Sequence, residues 1–90
     1  MKIEFIKNIQ FTKLVKAEGR LREFNFRKVN SIKEGMFTVD VSEDRGNRII
    51  FSMQKENNAW KIAGNDPLPS WIKNNESVFH ELIEEEMKNM

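Results

Sequence analysis

The stretch that decides the fold is Met36-Phe-Thr-Val-Asp-Val-Ser-Glu-Asp-Arg-Gly-Asn-Arg-Ile-Ile-Phe-Ser-Met53, in which two runs of alternating apolar and polar residues flank a polar segment. The apolar positions, spaced two apart, are Phe37, Val39 and Val41 in the first run and Ile49, Phe51 and Met53 in the second. A period of two is typical of strands with one buried face. The intervening Asp44-Arg-Gly-Asn47 favours a chain reversal, because Asp, Gly and Asn tolerate positive φ and form local hydrogen bonds. We therefore predict two antiparallel strands joined by a turn.

Three further runs extend this hairpin into a sheet. They cover residues 10 to 18, 21 to 29 and 59 to 63. The short segment Glu18-Gly19-Arg20 predicts a tight hairpin between the first two runs, and a polar turn at 55 to 58 precedes the last run. Residues 30 to 35 are expected to form the loop into the third strand. Residues 2 to 9 also show strand spacing, but they are too short to decide between an edge strand and a loose arm.

The second strand indicates which face of the sheet is buried. Its residues Arg22, Phe24, Phe26 and Lys28 project to one face. Phe24 and Phe26 mark the core side, and the two flanking basic side chains are expected to lie along apolar surface at the ends of the strand. Only the middle of this strand would then be covered.

A C-terminal helix follows the sheet. The segment Gly64-Asn-Asp-Pro-Leu-Pro-Ser70 is predicted to cross in an extended conformation, since each proline restricts its own φ and the residue before it. On a helical wheel the apolar side chains that follow all lie on one half of the circumference and so form one face of the helix. They are Trp71, Ile72, Val78, Phe79, Leu82, Ile83 and Met87. Ser70 is a good N-cap for a helix that starts there, and Asn75 is the alternative N-cap for a helix that starts at Glu76. Glu86 interrupts the apolar stripe, which is explained if the last turn projects beyond the sheet.

These elements predict an α+β fold, an antiparallel meander of about five strands with one C-terminal helix packed on one face. The chain has 90 residues, of which 39% are hydrophobic, so we expect a single domain over residues 1–90 with a modest core. A meander followed by one helix resembles, at the level of topology alone, the single-strand-binding domain of a family of transcriptional coactivators. No sequence motif of that family accompanies this order of elements.

The composition of the chain indicates the cellular compartment of the protein and the kinds of partner it can bind. The chain contains no cysteine, which excludes disulfides and thiolate chemistry and is typical of a reducing compartment. No apolar run is long enough to span a membrane, and the first residues lack the apolar stretch of a signal peptide. We therefore expect a cytoplasmic protein without a membrane partner. Residues 1 to 64 carry a net charge of +5 and residues 65 to 90 one of −4, a polarity that can steer an anionic partner, draw two copies together or reflect ordinary solvated faces.

The sequence offers few residues for catalysis. His80 is the one histidine, and no serine or carboxylate is placed by spacing to complete a catalytic relay with it, so we expect a structural or solvated histidine. Glu84, Glu85 and Glu86 are consecutive on a helix and point in different directions, so they do not converge on a metal ion. The four glycines are isolated and form no phosphate loop. We predict that the protein is not an enzyme and has no cofactor or metal site.

We expect the protein to be a binding or interaction module that acts as a homodimer. Leu14, Ile50 and Ala63 lie opposite the main apolar set of their strands, which indicates a second covered face. Unpaired edge strands can also bind a second copy or an extended peptide. A pocket lined by Trp60 and Trp71 is a further alternative, although tryptophans between a sheet and a helix are more often packing anchors.

The alternative function is the binding of single-stranded nucleic acid. Phe24 and Phe26 are bracketed by basic residues on one strand face, and aromatic rings beside basic side chains are the platforms that hold single strands. The two rings can stack on bases only if their face is uncovered; otherwise they belong to the core. The candidate binding residues, all basic and all on or beside the sheet, are Arg20, Arg22, Arg27, Lys28, Arg45 and Arg48.

Overall fold

The computed structural model describes residues 9–28, 36–43, 45–64 and 67–88, and within these ranges it contains five strands and two helices. The strands are β1 (Gln10–Ala17), β2 (Arg20–Lys28), β3 (Met36–Ser42), β4 (Arg48–Glu56) and β5 (Ala59–Ala63), and the helices are α1 (Ser70–Lys73) and α2 (Glu76–Lys88). Consecutive strands pair antiparallel, so their order in the sheet is their order in the chain. The predicted α+β meander with a C-terminal helix on one face is therefore confirmed. The predictions for residues 2 to 8 and for the loop at 30 to 35 fall outside the described residues.

Two-residue turns join the outer strands to their neighbours. Glu18 and Gly19, between β1 and β2, have φ values of 53° and 74°. Asn57 and Asn58, between β4 and β5, have φ values of 50° and 69°. Positive φ at both central residues is the signature of the type I′ turn, whose twist matches that of the flanking strands. Asn tolerates this left-handed conformation better than most residues with a side chain, and the second turn is tighter than the polar segment predicted at 55 to 58.

The core lies between the sheet and α2. Among the largest fully buried side chains of the sheet are Phe24, Phe26, Phe37 and Met53. From the helix, the ring of Phe79 lies 4.9 Å from that of Phe24 and 5.6 Å from that of Phe51, measured between ring centroids. Because these two partners belong to β2 and β4, Phe79 packs across the middle of the sheet.

The helical region is interrupted where the sequence leaves two starting points open. α1 is a single turn, and α2 begins at Glu76. The Asn75 carbonyl oxygen accepts a hydrogen bond from the Phe79 N–H at 2.9 Å, and the Asn75 side-chain amide donates to the carbonyl oxygen of Trp71 at 2.7 Å. Asn75 is thus the residue immediately before α2, the position that the alternative prediction gives it, and its side chain bonds back to α1. Ser70 is the first residue of α1 and not its N-cap, a position held by the preceding proline without a side-chain hydrogen bond.

Two ion pairs connect α2 to different strands. Glu86 Oε2 lies 3.8 Å from Lys13 Nζ on β1, and Glu84 Oε1 lies 3.9 Å from Lys55 Nζ on β4. The expectation that Glu86 projects beyond the sheet is wrong, because its carboxylate turns back towards β1. Two acidic residues of the tail therefore pair with basic residues of the sheet within one molecule.

Candidate binding surface

Within the described residues, no element packs on the sheet face opposite α2, which is called the open face below. It consists of the even-numbered residues of β1, β3 and β4 and the odd-numbered residues of β2 and β5. Each of these side chains is exposed or half-buried, whereas the alternate positions carry the core. The described residues therefore leave the open face accessible to a partner.

A hydrogen-bonded row of side chains crosses the middle of the open face. The strand register places Thr12 opposite Asn25 and Asn25 opposite Asp40. Thr12 Oγ1 donates to Asn25 Oδ1 at 2.7 Å, and Asn25 Nδ2 donates to Asp40 Oδ1 at 3.0 Å. Arg48 extends the row, with its Nε 3.8 Å from the same Asp40 oxygen. Because each member contacts the next, the row holds the amide and the carboxylate in fixed orientations.

Two shallow grooves of about 410 and 400 Å³ lie along this row. Asn25 and Arg48 line both grooves, Arg20 and Arg22 line the first, and Arg27 lines the second. The surface is not uniformly basic, since Glu23 also lines the first groove. The two grooves therefore carry guanidinium groups that can bind an anion, together with acidic and neutral polar side chains.

Two of the predicted binding residues, Arg27 and Arg48, lie on the open face. Arg20 belongs to the even-numbered set of β2, but it lines the first groove from the start of that strand. Arg45 is exposed in the turn between β3 and β4, and Lys28 is half-buried on the covered face at the end of β2. Arg22 is buried. The structure thus brings Arg20, Arg27 and Arg48 to the pair of grooves, and Arg22 also borders the first groove but is buried. Lys28 and Arg45 line neither groove.

Arg22 is enclosed at one end of the covered face. Its guanidinium carbon lies 4.4 Å from the centroid of the Trp71 ring, and its Nη2 lies 3.5 Å from Glu18 Oε2. The expectation that only the middle of β2 is covered is wrong at this end, because α1 brings Trp71 over the side chain. With 6% of its side chain exposed, Arg22 has little surface left for a phosphate group.

Phe24 and Phe26 belong to the core, with exposed fractions of 0% and 1%. Both rings lie on the face that α2 covers, within 6.1 Å of the Phe79 ring centroid. They are therefore not available to stack on bases, which is the condition for an aromatic platform. What remains of the nucleic-acid hypothesis is the set of arginines around the open face.

Sequence reasoning missed Leu21 and the hydrogen-bonded row. Leu14, Leu21 and Ile50 are 64%, 65% and 61% exposed on the open face. The two-residue period of the strand could have placed Leu21 on the open face, because Leu21 lies three residues before Phe24 and so projects to the opposite face. The row has no such local signal, because it depends on the register of strands that are distant in sequence. Ala63, the third apolar residue predicted for this face, is half-buried.

The β5 edge of the sheet is capped by α2. The Trp60 N–H donates to His80 Nδ1 at 2.9 Å. The Ile62 N–H donates to Glu76 Oε2, also at 2.9 Å. In an antiparallel ladder alternate residues direct their N–H groups away from the neighbouring strand, so α2 satisfies donors that β5 would otherwise offer to another chain. His80 therefore has a structural role, one of the two predicted for it.

The β1 edge carries no comparable cap within the described ranges. The Lys28 N–H donates to the Ile9 carbonyl oxygen at 2.9 Å, which makes the odd-numbered residues of β1 the ones that bond to β2. The even-numbered residues from Gln10 to Lys16 therefore direct their N–H and carbonyl groups outwards. No backbone or side-chain group of the described residues hydrogen-bonds to them. The described part of the molecule therefore leaves this edge unpaired, so a further strand can add to it.

Both tryptophans act as packing residues. The Trp60 ring lies 5.1 Å from the Phe37 ring, nearly perpendicular to it, and Trp71 covers Arg22. Both side chains are buried. The two rings thus fill space between the sheet and the helices, which is the packing interpretation of the tryptophan pair.

Comparisons of the chain with protein-family models, with curated proteins and with solved structures found no match. The resemblance to the coactivator domain therefore stays one of element order. In the described residues, no three histidine or acidic side chains are placed together to hold a metal ion. Neither helix in the described part of the chain is long and apolar enough to cross a membrane.

Proposed function

We propose that the protein is a non-enzymatic interaction module that acts as a homodimer in the cytoplasm. One observation carries the proposal: the helices cover one face and one edge of the sheet, whereas no described residue covers the open face or the β1 edge. On this uncovered side Leu14 and Leu21, which lie on β1 and the neighbouring β2, each expose more than half of their surface. Large apolar side chains beside an unpaired strand edge are typical of surfaces that bind another chain.

A second copy is the partner that the properties of the chain favour. A domain of 90 residues has a modest core, and association removes from water apolar surface that a single copy leaves exposed. A two-fold dimer needs a self-complementary surface, and an antiparallel strand edge is self-complementary in its hydrogen bonds. The absence of cysteine supports a reducing compartment such as the cytoplasm.

Sedimentation velocity over a wide range of protein concentration tests the homodimer. We expect a species of twice the 10.7 kDa of one chain, which dissociates on dilution as mass action requires. A mass of one chain at every concentration would contradict the proposal.

A second candidate function, the binding of single-stranded nucleic acid, is favoured by the position of three arginines. Arg20, Arg27 and Arg48 lie around the same pair of grooves. Because Phe24 and Phe26 are buried, such binding rests mainly on phosphate contacts, so it weakens steeply as salt concentration rises. If each arginine neutralises one phosphate, the logarithm of the affinity falls against the logarithm of the salt concentration with a slope of roughly −2.

Titration of a labelled single-stranded oligonucleotide at several salt concentrations tests this second function. Arg27→Glu should abolish binding, because it reverses a charge at one of the grooves. Arg45→Glu is the matched control, since Arg45 is exposed but lines neither groove. Equal losses in the two variants would reject the open face as the binding surface and indicate a response to net charge alone.

A further inference from the structure

We infer that two copies of the chain pair antiparallel through their β1 edges, around a two-fold axis at Leu14, to form one continuous ten-stranded sheet from two five-stranded ones. This inference rests on the proposed homodimer and specifies the surface that forms it. It replaces packing of one open face on another, the arrangement expected from Leu14, Ile50 and Ala63, with pairing at an edge.

The first argument is the difference between the two sheet edges. α2 occupies the outward donors of β5, so a strand added there would have to displace His80 and Glu76. β1 is a strand of eight residues, and its residues from Gln10 to Lys16 include four with outward N–H and carbonyl groups. These are the groups that a further antiparallel strand uses. The edge suited to strand addition is therefore β1.

The second argument is the register that a two-fold axis allows. Around such an axis the residue on the axis faces its own copy. An axis at Lys13 sets two lysines opposite each other in a pair without hydrogen bonds, where side chains are closest and like charges destabilise. An axis at Leu14 sets leucine opposite leucine. Lys13 then faces Val15 and Lys16 faces Thr12 of the second copy, so no like charges are directly opposed.

The third argument is the apolar surface that each register buries. Leu21 is the diagonal neighbour of Leu14 on the open face, because its cross-strand partner Lys16 lies two residues further along β1. With the axis at Leu14, the two leucines of each copy form one diagonal row of four across the new strand pair. An axis at Thr12 breaks this row, since it sets Leu14 opposite Gln10. The axis at Leu14 is therefore the one that buries the exposed leucines together.

Packing of two open faces against each other is less favourable than edge pairing. It would remove from water the ion pair of Asp40 and Arg48, whose atoms are 3.8 Å apart, together with the exposed Arg27. Desolvation of such groups costs more than a loose ion pair returns. Ile50 lies on β4, three strands from the β1 edge, and a single exposed apolar side chain needs no partner.

Single-cysteine variants report the geometry of the dimer directly, since the chain contains no cysteine. Residues in a hydrogen-bonded antiparallel pair have Cα atoms about 5.5 Å apart, which is within the range that a disulfide spans. Leu14→Cys should therefore form disulfide-linked dimers under mild oxidation. Thr12→Cys should cross-link far less, because the two copies of this position lie four residues apart along the strands, roughly 14 Å. Ile50→Cys is the control for face-to-face packing and should stay uncross-linked.

Charge substitutions supply a test that needs no oxidation. Leu14→Lys places two lysines opposite each other on the axis and should give monomers. The circular dichroism spectrum should not change, because Leu14 is exposed in the single copy. Ile50→Lys, at a position of similar exposure, is the matched control and should remain a dimer.

The outcomes separate the inference from the proposed function. A wild-type dimer that survives Leu14→Lys, or that dissociates in Ile50→Lys, overturns the edge pairing and leaves the homodimer standing. Preferential cross-linking of Thr12→Cys or Ile50→Cys has the same meaning. A wild-type chain that is monomeric at every concentration overturns both.

Discussion

The Arg22 guanidinium lies against the Trp71 ring and beside the Glu18 carboxylate, at the end of the sheet that α1 covers. A cation on the face of a tryptophan is attracted by the ring quadrupole, and the attraction increases where water is excluded. The aliphatic stem of the same side chain covers apolar surface. Arg22 therefore holds α1, and with it the connection into α2, against β2.

Replacing Arg22 with alanine is expected to lower the free energy of unfolding by about 1–3 kcal/mol, because it removes the cation–π contact and leaves a gap under Trp71. Glu18 is exposed, so the loss of its partner adds little. Arg27→Ala is the matched control, the same substitution at an exposed position of the same strand, with an expected change within about 0.5 kcal/mol. Chemical denaturation followed by tryptophan fluorescence measures both variants. Equal midpoints would show that Arg22 does not stabilise the fold.

At the scale of elements, α2 covers the core and also closes one edge of the sheet. Glu76 and His80 are four residues apart on the helix, and the N–H groups they accept from, those of Ile62 and Trp60, are two residues apart on β5. Four helical residues rise about 6 Å and two strand residues about 6.8 Å, so the two spacings match. The helix can therefore cap two successive outward donors of the strand.

Removing one of these caps should destabilise the protein. Glu76→Ala is expected to lower the free energy of unfolding by about 1–3 kcal/mol, because the part-buried Ile62 N–H loses its acceptor. Glu76→Gln keeps a side-chain oxygen that accepts a hydrogen bond and should recover most of the loss. Glu81→Ala, at an exposed position of the same helix, controls for the lost negative charge. Hydrogen exchange of the Ile62 amide gives a local measurement: exchange as fast in Glu76→Gln as in Glu76→Ala would show that the hydrogen bond is not the cause.

The elements could be predicted from the sequence because their signals are local. The period of two locates the strands, and Asn, Asp and Gly locate their turns. The start of α2 stayed ambiguous, since Ser70 and Asn75 are both good N-caps by residue type. The structure resolves the choice: the chain forms the single turn α1 from Ser70 and a second helix from Glu76, and Trp71 and Phe79 are both buried.

At the scale of the whole molecule, the candidate surface could be predicted only in part. Strand period assigns Arg27 and Leu21 to the face opposite Phe24, but it does not show which residues of other strands they meet. The row from Thr12 to Arg48 joins four strands, and its geometry follows from a register set along the whole meander. The burial of Arg22 likewise depends on a helix that is distant in sequence. Local patterns contain neither piece of information.

Phe79 is the residue through which the helix and the sheet depend on each other. Its ring centroid lies 4.9, 6.1 and 5.6 Å from those of Phe24, Phe26 and Phe51, on two strands of the sheet, and the side chain is fully buried. Truncation to alanine removes these ring contacts and leaves a cavity. We expect Phe79→Ala to lower the free energy of unfolding by about 3–5 kcal/mol. That is a large part of the roughly 5–15 kcal/mol that stabilises a typical domain.

The way in which Phe79→Ala unfolds tests whether the two layers form one cooperative unit. If they do, far-ultraviolet circular dichroism, which reports mainly the helix, and tryptophan fluorescence, which reports Trp60 in β5 and Trp71 in α1, lose their signals at one denaturant midpoint. That midpoint should be lower than in the wild type. Val78→Ala, at the neighbouring half-buried position, should shift it by a much smaller amount. A helix that unfolds first, while the sheet keeps its fluorescence, would mean that the meander is stable without α2. Neither the core packing of Phe79 nor the cap on β5 would then be required to hold the sheet together.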